Sequence, residues 1–287
     1  MYDLVVAGDS WTYGSEIINT NLESNSVRDW DEVNDEYRNS NIYSHYLSNY
    51  LNANLKNLSF PAYSNDRILR VLINYITKFY LFPKKNTKDL FVIVGLTSPE
   101  RKDFYYNSKN TSQWMTMWPA WEHNYSEYDG VNDFMKSYIT YFSNKQEYLN
   151  RYVNQVYYLE NFFKNNKIKY LLFQSFYQPY IFNNKISEWQ DSPYVELWDS
   201  SFHGCNDDDT TKYFQGSSER EIWSLVDNYK FMNKNEENHS FHSYLLNHQN
   251  LSDENCFVGL HPNEKGHEIW ANHIFEYIKK HNLLSFN

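Results

Sequence analysis

Two short blocks near opposite ends of the chain carry residues that can do chemistry. The first is Gly8-Asp9-Ser10-Trp11-Thr12-Tyr13-Gly14; the second is His261-Pro262-Asn263-Glu264-Lys265-Gly266-His267. A serine hydroxyl is a poor nucleophile until a base takes its proton. An imidazole is the natural base, because it accepts that proton and later returns one to a leaving group. Ser10 at the opening of a helix would sit among free N–H groups that favour developing negative charge. The chemistry available to such a pair is cleavage of an ester through an acyl-enzyme. Two bland roles compete with it. Serine is a favoured helix N-cap, and His261 could simply precede a helix begun by Pro262.

Elements on either side must bring these blocks together. Residues 2–8 read as a short buried strand ended by glycine, and residues 55–60, 89–96, 168–176 and 257–258 read as further strands. Helical spacing runs through 41–55, from Asn65 or Asp66 to 76, through 133–165 and through 263–281, with a helix over 10–18 weakened by Gly14. Strands alternating with helices predict right-handed crossovers and an α/β three-layer sandwich. Its flavodoxin-like parallel sheet would have about five strands. Ligands of such sheets bind beyond the carboxyl ends of the strands. That places Pro61–Arg67 and Gly95–Arg101 beside the two end blocks. One domain over 1–287 is expected, with insertions near 103–130 and 178–250.

The four blocks together resemble the SGNH (GDSL-type) hydrolase superfamily, in order and spacing along nearly the whole chain. Gly8-Asp9-Ser10 resembles its nucleophile block and His261-Pro262 its histidine block. Residues 57–67 are similar to the second block, and Gly95–Ser98 falls where the third belongs. The resemblance implies Ser10 as nucleophile, His261 as base and Asp9 as a supporting residue. It implies an oxyanion hole from the Ser10 and Ala62 backbone N–H groups and a side chain of the third block, Thr97, with Asn65 as another source of an amide. Three positions depart from the family: Ala62 replaces a glycine, Thr97 an asparagine, and Val258 the acid three residues before the histidine. A Ser10–His261 dyad follows, with His261 oriented by a backbone carbonyl or by an acid from elsewhere, for which Asp227, Asp253 and Glu254 are candidates. The Gly-x-Ser-x-Gly elbow of α/β-hydrolases is absent, because Thr12 stands at its second glycine.

Composition narrows the partners. There are 26 Lys and Arg against 36 Asp and Glu, a net charge of −10. A net negative charge argues against a general nucleic-acid binder, whose affinity comes from neutralising phosphates, and against docking on an anionic membrane, so neither partner is expected. The 41% hydrophobic content supplies a core, and two cysteines exclude a disulfide-stapled scaffold. With no secretory signal and no membrane-length apolar run, a cytoplasmic location is expected. The richness in Asn, Lys, Tyr and Ile also suggests a virus, and with it association with a virion. Trp11, Trp114 and Trp118 are candidates for an aromatic wall against substrate. Glu100 and Arg101 read as a solvated pair, and Asp207–Asp209 as a solvated loop. His239, His242 and His248 lack metal-ligand spacing. No metal and no cofactor are expected. The expected substrate is a small ester, including O-acetyl groups of an acylated glycan. The rival reading is a non-catalytic binding or structural module that keeps a degenerate site. Oligomeric state is not legible.

Overall fold

A computed structural model describes residues 1–22, 27–108, 112–118, 128–142, 145–176, 222, 224–232 and 240–285. β1 (Asp3–Ala7) leads into a single-turn helix, α1 (Ser10–Tyr13), then α2 (Asp35–Ser40), α3 (Tyr43–Leu51) and β2 (Asn54–Asn57). α4 (Asn65–Ile76) continues through a π-helical turn and is followed by β3 (Leu90–Leu96). A hairpin of β4 (Lys102–Asn107) and β5 (Ser112–Met117) precedes α5 (Val131–Tyr141), α6 (Lys145–Asn165) and β6 (Lys169–Gln174). The chain ends with α7 (Phe241–Ser252), a ribbon of β7 (Phe257–Val258) and β8 (His261–Pro262), and α8 (Glu264–Lys280).

The main sheet runs β2-β1-β3-β6, every pair parallel. All seven residues of β3 are buried, as a strand covered on both faces requires. Alternation then divides the core. Val5, Val92, Val94 and Leu172 pack with Ile68 and Leu72 of α4 and Tyr152 and Val156 of α6. Leu4, Val6, Ile93 and Phe173 pack with Leu47 of α3, Leu245 of α7 and Trp270 and Ile274 of α8. Each such aliphatic side chain contributes about 1.5–3 kcal/mol by leaving water. The result is the three-layer α/β arrangement with a parallel sheet.

Several element boundaries differ from the sequence pattern. Among the described residues the parallel sheet has four strands. The segment 257–258, expected as a fifth, pairs antiparallel with His261–Pro262 instead. A rudimentary fifth position is taken by Phe231, which bridges to Leu172 beside β6. The 133–165 helix is two helices, the first ending at Tyr141. Ser64, rather than Asn65 or Asp66, caps α4 by accepting the Arg67 N–H. Lys102–Asn107 and Ser112–Met117 form the hairpin, whereas 178–221 of the second expected insertion, including Asp207–Asp209, lie outside the described residues. So does His239.

Candidate active site

β1 delivers Gly8 and Asp9 to the carboxyl edge of the sheet, where α1 begins. Asp9 is the N-cap of that helix: its Oδ1 accepts the Trp11 N–H at 3.1 Å. Ser10 is the first helical residue, so its side chain is not used for capping. Neither the Ser10 hydroxyl nor its N–H has a hydrogen-bond partner among the described residues. Gly14 ends the helix after one turn at φ 85°, a left-handed position that suits glycine.

Asp9 is fully buried and held from two further sides. Thr97 donates its hydroxyl to Oδ2 at 2.6 Å, and Arg101 Nη1 lies 3.6 Å from the same oxygen. Burial pushes the Asp9 carboxyl upward, against the pull of Arg101, Thr97 and the Trp11 amide. The solvated Glu100–Arg101 pair does not form. Both residues are buried, and Arg101 turns to Asp9, with its guanidinium 4.6 Å from the Trp118 ring. Glu100 instead accepts the Ser98 hydroxyl, and burial pushes its carboxyl up to about 8. Both lie at the buried strand ends, withdrawn from bulk solvent.

The second block follows β2 and turns sharply at Ala62. Ala62 has φ 61°, a left-handed conformation that costs a residue with a Cβ roughly 1–2 kcal/mol. Its N–H has no partner among the described residues. The two expected side-chain donors are placed differently. Asn65 and Thr97 bind one another: Nδ2 donates to the Thr97 carbonyl at 3.0 Å and Oδ1 accepts the Thr97 N–H at 2.9 Å. Gln174 adds a second donor to that carbonyl. The Thr97 hydroxyl is turned to Asp9. The side chains of Thr97 and Asn65 are thus engaged with each other and with Asp9, whereas the backbone N–H groups of Ser10 and Ala62 have no partner among the described residues.

His261 enters on β8, which packs against α1. Pro262 belongs to the ribbon and does not open the last helix; Asn263 caps α8 by accepting the Gly266 N–H. The three acids expected to orient His261 are occupied elsewhere. Asp227 accepts the Tyr229 and Lys230 amides, Asp253 is the left-handed C-cap of α7, and Glu254 pairs with exposed His248 at 3.1 Å. The acid beside His261 is Glu16, from the turn that follows α1: its Oε2 lies 3.0 Å from Nδ1. The approach is close but off the line of a hydrogen bond. The same Oε2 accepts the Leu260 N–H at 3.0 Å. A search for an acid near His261 in sequence misses Glu16. The available signal is Gly14, which stops the helix and turns Glu16 back.

Of the three tryptophans expected to face substrate, Trp11 does not. It is fully buried, edge-on to Phe176 and Phe241 and 6.2 Å from the His261 ring, and so forms packing behind the histidine. Trp118 lies under Arg101, and Trp114 is 44% exposed on the hairpin with Arg70 over its ring. The solvent-facing aromatic beside Ala62 is Phe60, 49% exposed and packed on Tyr13 and Tyr63. His267 is buried against Tyr43, accepting its N–H through Nδ1, and burial holds its imidazole down to about 3. A cavity of about 500 Å³ lies between the hairpin and α5, lined by Phe104, Met115, Met117, Val131 and Phe134 and by none of these strand-end residues.

A family model described as a family of unknown function (DUF6071) matches residues 23–189, more than half of the chain. The chain belongs to that family. The matched segment holds Ala62, Asn65, Thr97 and Arg101, whereas Ser10, Glu16 and His261 lie outside it. No curated protein matches the chain. Among solved structures it is similar to the psychrotrophic esterase EstA from Pseudoalteromonas sp. The identity is 14%, over 98% of each chain, with a TM-score of 0.43. It is also similar to a member of the lipolytic protein G-D-S-L family from Veillonella parvula, at 12% identity, over 98% of this chain and 100% of that one, with a TM-score of 0.45. An acetyl xylan esterase, Est2A, from Butyrivibrio proteoclasticus is 12% identical over 99% of this chain and 65% of its own, with a TM-score of 0.43. At such identities the likeness concerns the fold and places no residue.

Proposed function

We propose that the chain is a serine ester hydrolase with Ser10 as nucleophile and His261 as general base. The observation that carries this reading is the division of labour at α1. Asp9 caps the helix, which leaves the Ser10 hydroxyl and N–H free at its N-terminus, with the His261 ribbon packed alongside. Ser10 Oγ attacks the ester carbonyl as its proton passes to His261. The carbonyl oxygen takes the negative charge, facing the N–H groups of Ser10 and Ala62. Each such donor is worth roughly 3–4 kcal/mol in the transition state. The C–O bond to the alcohol then breaks as His261 returns the proton. Water, activated by the same imidazole, releases the acid and restores Ser10.

Small esters fit this reading best, O-acetyl groups on carbohydrate among them. Exposed Phe60 beside Ala62 supplies an apolar face on which a sugar ring could rest. One domain spanning 1–287 is part of the same proposal. The reading is tested by fluorophosphonate labelling, with intact mass and peptide mapping. A single adduct on Ser10, lost in Ser10→Ala and His261→Ala chains that still fold, is the expected result. Adduct-free wild-type protein would refute it. A second reading is favoured by one observation: Thr97 and Asn65 spend their side chains on each other and on Asp9, which leaves a two-donor oxyanion hole. On that reading the site binds an acylated glycan without cleaving it, and glycan affinity would persist in Ser10→Ala.

A further inference from the structure

We infer that Glu16 is the positioning acid for His261, which makes the site a Ser10–His261–Glu16 triad. The third member comes from the turn behind the nucleophile, and Val258 occupies the place where the acid would otherwise stand. This rests on the reading of Ser10 as nucleophile and His261 as base. Four independent features aim the Glu16 carboxylate at the histidine. Its Oε2 is 3.0 Å from Nδ1 and is fixed there by the Leu260 N–H. Its backbone is tied down, because the Glu16 N–H donates to Asp29 Oδ2 at 2.9 Å and the next carbonyl, of Ile17, accepts Asn34 Nδ2 at 2.8 Å.

The third feature is strain. Glu16 has φ 68°, in the left-handed region where glycine is preferred. A charged side chain held at that cost at the edge of a site points to a use for its carboxylate. The fourth is Gly259, two residues before His261. A Cβ there would stand 2.5 Å from Glu16 Oε2, so any larger residue would expel the carboxylate from its seat.

The role follows from imidazole chemistry. An anionic acceptor at Nδ1 keeps the proton on that nitrogen, which leaves the Nε2 lone pair to take the Ser10 proton. When Nε2 gains that proton, the ring is cationic and Glu16 stabilises it without itself becoming protonated. Nε2 then passes the proton to the leaving alcohol. The off-line approach in the free protein is what such contacts show before substrate tightens them.

The test uses the full chain and p-nitrophenyl acetate, with 15N spectra of the histidine rings recorded alongside. Glu16→Gly removes the carboxylate while relieving the backbone, so its thermal midpoint should match or exceed wild type. Its kcat should fall about 10²–10⁴-fold with KM little changed. Glu16→Gln keeps the shape and loses the charge, and Gly259→Ala displaces the carboxylate; both should lose kcat. The His261 ring should leave the Nδ1–H tautomer in each. Glu254→Gln, which breaks only the exposed pair with His248, should leave kcat unchanged. An active wild type with a fully active Glu16→Gly variant and an unaltered His261 spectrum overturns the triad alone. A wild type that neither hydrolyses ester nor labels at Ser10 overturns the nucleophile reading, and the triad with it.

Discussion

At the start of α1, capping falls to Asp9 and leaves the Ser10 side chain without that role. Asp9 satisfies the helix N-terminus, and Thr97 and Arg101 hold Asp9 in turn. Thr97→Val is nearly isosteric but withdraws one donor from a buried carboxylate. It should cost about 1–3 kcal/mol, read from urea unfolding, and, on the proposed function, should lower ester turnover by loosening the turn that carries Ser10. Trp11 behaves as core despite its place beside Ser10. Trp11→Ala should lose about 3–5 kcal/mol, and an unchanged unfolding midpoint would contradict its burial against Phe176 and Phe241.

One acid on the hairpin gathers several of its contacts to the neighbouring helix. Asp103 is buried on β4, where it accepts Ser64 and Thr116 hydroxyls and pairs with Arg67 at 3.2 Å and Arg70 at 2.7 Å. Because Ser64 also caps α4, the hairpin and that helix share one network. Asp103→Ala leaves two arginines without their buried partner and should cost about 3–5 kcal/mol. Amide exchange should rise across Lys102–Met117 before it rises in β3. If exchange rose equally everywhere, the hairpin would be part of the main cooperative unit. That β1 and β3 are strands covered on both faces was legible in sequence, because such a strand must be apolar nearly throughout; which core each side chain joins was decided by the fold. The antiparallel pairing of Phe257–Val258 was not legible, because two residues carry too little pattern to choose a partner.

Across the whole molecule, buried titratable groups set opposite pH trends. Burial holds Glu100 up to about 8, from 4.5 when exposed, so the folded state keeps a proton that the unfolded chain releases. Stability from this group is full below about 4.5 and falls as pH rises toward 8, by about 3–5 kcal/mol in all. Burial holds His267 down to about 3 and His242 down to about 4, both from 6.5. These groups stay neutral in the fold while the unfolded chain takes up protons, so their contribution is full above 6.5 and is lost as pH falls. The thermal midpoint should therefore decline on both sides of a slightly acidic maximum. Glu100→Gln should remove most of the alkaline decline, and an unchanged alkaline limb would show that Glu100 is ionised in the fold.

By itself the sequence determined the layer architecture and the two end blocks. Apolar periodicity is local, and Ser10 and His261 stand at strand and helix boundaries that local signals mark. Tertiary structure alone decided what surrounds them. Thr97 turned to Asp9, Asn65 turned to the Thr97 backbone, and Trp11 went into the core, because burial obliges each polar group to find a partner and each large ring to find neighbours. It also brought Glu16 to His261 across 245 positions of sequence. No spacing rule links those two residues. Their approach depends on a one-turn helix, a left-handed backbone and a glycine on the facing ribbon meeting at one sheet edge.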